Sequence, residues 1–60
     1  MMPRDLAMAL ARGGLRLDVL PDHEARQLLL LISEARNADV RAERVRAAVA
    51  AIKRMTDVKT

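Results

Sequence analysis

The residues best suited to chemistry in this sequence are Asp22, His23 and Glu24, a carboxylate, an imidazole and a second carboxylate in consecutive positions. Converging, such groups perform general acid–base catalysis or ligate a divalent cation. Consecutive helical positions point about 100° apart, so these three cannot meet on one ion or one substrate atom. His23 is the sole histidine and there is no cysteine to join it. The cluster therefore reads as the acidic first turn of a helix, where negative charge complements the helix dipole. Ser33 is the sole serine and has no second histidine to activate it. Gly13-Gly14 lacks the further glycines and the Lys-Ser/Thr pair of a phosphate-binding loop, which leaves a turn. Met1, Met2, Met8 and Met55 are scattered along the chain and read as ordinary packing or initiator residues rather than as one soft contact surface. The expectation is a non-enzyme with no catalytic residue, no cofactor and no metal site.

Size sets the next constraint. A chain of 60 residues buries only about 60% of the surface its unfolded form exposes. Small scaffolds usually add disulfides, a metal or a second subunit. Disulfides are excluded by composition, so a homodimer, a higher oligomer or docking on a larger protein is the default. The lack of cysteine fits a reducing compartment, and the chain is expected to be soluble and cytoplasmic. With no Phe, Tyr or Trp there is no stacking platform for single strands and no aromatic anchor for a binding hot spot. Recognition must rest on aliphatic packing and arginine. The longest unbroken aliphatic run is Leu28 to Ile32, far short of the roughly 20 residues of a membrane span, so neither a membrane nor a small-molecule substrate is expected.

An all-α fold in one small domain, residues 1–60, follows from the elements. Pro3 suits a first helical turn, Asp5 complements its positive end, and Arg12 before Gly13 supplies a cation and a stop. Leu6, Ala9 and Leu10 share a face, which predicts a short helix over about 3–12. After the Gly-Gly break, Leu15, Leu17 and Val19 alternate with Arg16 and Asp18, a pattern suited to an extended connector or a short strand. Pro21 and Asp22 then open the next helix.

Positions 28, 31, 35, 38, 42, 45, 49 and 52 carry Leu, Leu, Ala, Ala, Ala, Val, Val and Ile, a heptad seam compatible with one continuous helix over 22–55. In a parallel dimer that seam would set Glu34 against Asp39 and Arg41 against Arg46. Its centre would be alanine, where each Leu-to-Ala difference is worth about 2–5 kcal/mol. A break at Asn37 relieves these conflicts and gives a helical hairpin over about 22–36 and 39–55. In that reading Asn37 takes the left-handed position after the first helix and Asp39 caps the second. The facing stripes supply the predicted interaction or oligomer face: Leu28, Leu31 and Ile32 against Val45, Val49 and Ile52.

Residues 39–60 are net positive, and Arg44, Arg46, Lys53 and Arg54 fall on the side turned away from Val45, Val49 and Ile52, with Glu43 among them. A solvated surface is the plain interpretation of that basic face, and a patch for phosphates or an acidic groove is the functional one.

Two functions follow. The first is an interaction or regulatory protein acting through helix-mediated contact with itself or a larger partner. The second takes nucleic acid as partner. The order Leu15-Arg16-Leu17-Asp18-Val19, then Leu20-Pro21-Asp22, then Glu43-Arg44-Val45-Arg46-Ala47-Ala48-Val49 partly resembles the ribbon-helix-helix family of DNA-binding repressors and antitoxins. That resemblance implies a strand over 15–20 that pairs across a dimer and enters the major groove, with Arg16 and Asp18 as base-reading residues. The sequence departs from the family in placing Asp18 and Arg16 where apolar residues usually alternate before the proline, and in having no glycine between the helices.

Overall fold

The computed structural model describes residues 2–58, so Met1 lies outside the described residues. The elements are α1 (Arg4–Gly13), a single 3₁₀ turn (Leu17–Val19), α2 (Asp22–Ser33) and α3 (Ala38–Val58). Among the described residues there is no strand. The all-α expectation holds at this level.

α1 opens at Pro3, and Asp5 in its first turn accepts the Leu6 backbone N–H at 3.0 Å. Its end is a paired-turn cap: the Gly14 N–H reaches the Ala11 carbonyl at 3.2 Å and the Leu15 N–H reaches the Leu10 carbonyl at 2.9 Å. Gly14 has φ 64°, a conformation that carries a steric penalty for any residue with a Cβ. The cap turns Leu15 back toward the core, against which it packs.

The segment after it is neither strand nor open connector. Leu17, Val19 and Leu20 turn inward around a 3₁₀ turn closed by the Leu20 N–H on the Leu17 carbonyl at 3.1 Å. Three apolar anchors within four residues outweigh the weak period-two pattern. The strand over 15–20 is therefore replaced by a short helical turn that plugs the bundle.

The continuous helix over 22–55 is also overturned, because α2 ends at Ser33 and α3 begins at Ala38. A helix of that length would span about 50 Å, whereas the longest dimension of the molecule is 35 Å. Two helices in contact stand in its place, and the chain passes between them by a different device from the one expected. Among the described residues none other than Gly14 has positive φ, so Asn37 is not a left-handed stop. Instead the Asn37 side-chain oxygen accepts the Val40 N–H at 2.9 Å and its carbonyl accepts the Arg41 N–H at 3.0 Å. Asn37 thus caps α3, and Asp39, expected to be the cap, sits in the first turn.

α3 is the spine. It packs against α1, α2 and the 3₁₀ turn, and the turn also touches α2. The core comprises Leu6 and Leu10 of α1, Leu20, Ile32 of α2, and Val45, Ala48 and Ile52 of α3. Leu6, Ile32 and Ile52 are fully buried. Ala48 carries only a methyl group into this layer, which lets its neighbours approach the α3 backbone.

Candidate interaction surface

Few of the predicted contact residues reach the surface. Ile32, Val45 and Ile52 do not: each is buried inside the chain. Leu28 and Val49 are half-buried and pack on the same core. The expected oligomer face is thus mostly the interior of one molecule. The physical reason is α1, whose Leu6 and Leu10 join the same core and cover those side chains. Of the predicted face, only Leu31 remains substantially accessible, at 45%.

Beside it lies Leu30, 55% exposed, a residue the sequence reading did not single out. Helical spacing explains the pair. Ile32 marks the inward direction of α2, and Leu30, two positions earlier, points about 160° from it. Leu31 stands on the flank, where a groove of about 280 Å³ runs between Leu20, Glu24, Gln27, Leu28, Leu31 and Ala51. A broader open depression of about 600 Å³ follows the outer face of α2 along Asp22, His23, Arg26, Gln27 and Leu30. The outer side of α2 therefore presents two leucines in a rim of charged and amide side chains. The run Leu28 to Leu31 was the available signal, since four consecutive leucines on a helix cannot all face one way.

The C-terminal end of α2 is held by arginines of α3. Arg44 Nη1 donates to the Leu31 carbonyl at 2.6 Å, and Arg41 Nη1 donates to the Ile32 carbonyl at 3.4 Å. The Ser33 hydroxyl donates to the Leu30 carbonyl at 2.9 Å. These donors satisfy carbonyls that a left-handed glycine would otherwise serve, which is why the hairpin manages without one. Arg41 also forks onto Asp5 of α1, with Nε to Oδ2 at 2.6 Å and Nη2 to Oδ1 at 3.2 Å. The Arg41 hydrogen bonds hold the Asp5 carboxyl below its ordinary range against the opposing effect of desolvation, and the backbone N–H of Leu6 adds to the lowering. The same contact raises Arg41. One guanidinium therefore ties α1, α2 and α3 at one end of the bundle. Asp5 and Arg41 are 36 positions apart, and nothing local in the sequence pairs them.

The predicted basic face is divided. Arg46, Lys53 and Arg54 are exposed on α3, but Arg44 is committed to the end of α2. By helical spacing Asp39, Glu43 and Asp57 fall on the same outward side, so acids interrupt the cations. Arg16 and Asp18 bond each other at 2.9 Å, with side chains 79% and 65% exposed. The two base-reading candidates are brought together as a pair on the 3₁₀ turn rather than displayed along a strand.

Asp22, His23 and Glu24 occupy the first turn of α2, all exposed. Among the described residues no three His, Cys, Asp or Glu side chains are grouped so as to hold a metal ion. Among those residues, no helix is long and apolar enough to cross a membrane. No protein-family model matches the chain, and neither a curated protein nor a solved structure matches it.

Proposed function

We propose that this protein is a small, non-enzymatic interaction module that acts through the outer face of α2, in a cytoplasmic setting. The observation that carries the reading is the exposure of Leu30 and Leu31 at adjacent positions of α2, with Leu31 on the rim of a groove lined also by Leu20, Leu28 and Ala51 and Leu30 on the outer face beside it. Met2, Met8 and Val58 are exposed as well, but singly, whereas Leu30 and Leu31 are adjacent in α2 and the core closes without them. Exposed leucines occur singly on many proteins, whereas an adjacent pair beside an apolar groove and ringed by polar groups has the layout of a contact centre.

A photo-crosslinking residue placed at position 30 of the full chain, with a control at Ala50 on the outer side of α3, tests this in the producing cell. The expected result is a covalent adduct of discrete mass from position 30 and none from position 50. Equal labelling at both positions, or no adduct at either, contradicts the proposal. Adducts to nucleic acid instead of protein would favour the DNA-binding alternative.

A further inference from the structure

We infer that the occupant of the α2 face is a second copy of this chain, packed antiparallel through the row Arg26, Leu30 and Glu34. The inference rests on the docking proposal above and adds the partner and the register. His23, Arg26, Gln27, Leu30, Ser33 and Glu34 are all exposed. Arg26 and Glu34 lie four positions to either side of Leu30, each about 6 Å along the axis. Among the described residues neither takes part in an ion pair.

A cation and an anion set symmetrically about an exposed leucine form a self-complementary pattern. In the commonest helix packing, the rows of residues spaced by four on the two helices run alongside each other, with the axes crossing at about 50°. A two-fold axis at Leu30 then brings Arg26 of each chain to Glu34 of the other, and does so twice. Leu30 then meets the partner's Leu30 on the axis. A parallel pairing of the same rows would set Arg26 on Arg26 and Glu34 on Glu34, so the charges choose the antiparallel arrangement. Because α2 is only 12 residues long, the contact falls below the roughly 800 Å² per partner of a standard interface. Association is accordingly expected on the order of micromolar to tens of micromolar.

Sedimentation equilibrium of the full chain from about 5 to about 500 μM, spanning that range, tests the inference. The wild type should pass from monomer to dimer. Arg26→Glu and Glu34→Arg should each weaken the dimer about tenfold, because each replaces two attractive pairs by two repulsive ones. An equimolar mixture of the two variants should recover near wild-type association, since every contact in the mixed dimer is again opposite in charge. Both substitutions favour the helix dipole, an acid nearer the start and a base at the end, so lost association cannot be ascribed to lost helix. A wild type that stays monomeric throughout overturns the inference. So do single variants that associate like the wild type, or a mixture that fails to recover. If the wild type is monomeric while position 30 still crosslinks to another protein, the second copy is wrong and the docking reading stands. Absence of both results removes both.

Discussion

Asn37 shows how one side chain sets the turn. Its oxygen takes the Val40 N–H at the start of α3, so removing it leaves a helix-start donor without a partner. Asn37→Ala should cost about 1 kcal/mol and Asn37→Gly only a few tenths, which urea midpoints would resolve. Equal midpoints for both variants and wild type would contradict the capping role. Asp5 and Arg41 give a pH signature at the same scale. The Asp5 carboxyl titrates lower in the folded chain than in the unfolded one. Its contribution is therefore fully present above the unfolded value near 3.8 and fades as pH falls through the folded value. Melting temperatures of wild type and Asp5→Asn should differ at neutral pH and converge in strong acid, and high salt should narrow the neutral-pH difference. A gap that widens on acidification would contradict the assignment.

Among the elements, the short first helix is the one whose role changes the account most. Its boundaries were legible from Pro3, Asp5 and Gly13-Gly14, and its apolar face from Leu6, Ala9 and Leu10. Where that face docks was not legible, because burial of Leu6 and Leu10 against α3 is a long-range contact that no local period encodes. The hairpin halves were readable in the same way, with Ile32, Val45, Ala48 and Ile52 on inward stripes. The device that turns them was hidden, since arginines of α3 serve the carbonyls of α2 from 9 and 13 positions away. The alternation over 15–20 misled, because three anchors packing on a core can dictate a turn whatever the spacing suggests. Gly14→Ala tests the α1 cap directly. At φ 64° the added Cβ meets no neighbouring atom within 4 Å, so the cost should be the backbone penalty alone, about 1 kcal/mol. A neutral substitution would mean that the cap relaxes without loss.

At the scale of the whole molecule, the chain packs a core of its own from all three helices and the turn after α1. Its radius of gyration is 10.9 Å, near the value of about 10 Å expected for a compact domain of this length. Stability at this size is on the order of 3–9 kcal/mol in total. Ile52→Ala, at a fully buried core position of α3, should remove about 2–5 kcal/mol and leave a chain partly or wholly unfolded at 37 °C. A cooperative melt close to that of the wild type would place Ile52 outside the core. The surface that remains after this internal packing is what defines the partner, and on α2 it is two leucines with charges set about them. The candidate site was only half legible for that reason: Leu31 was named from the heptad seam, while Leu30 was missed because the seam treated everything off its own line as solvent-facing.

The most direct test of the account separates the self-sufficient core from the exposed leucines. In Leu30→Gln/Leu31→Gln both helix propensity and net charge are nearly preserved, so helicity and thermal midpoint can be compared with association in one sample set. The account predicts wild-type circular dichroism and a melting temperature within a few degrees, together with loss of concentration-dependent sedimentation. Unfolding of the double variant would contradict it by showing that these leucines belong to the core, and undiminished association of a folded variant would contradict it by placing the contact elsewhere.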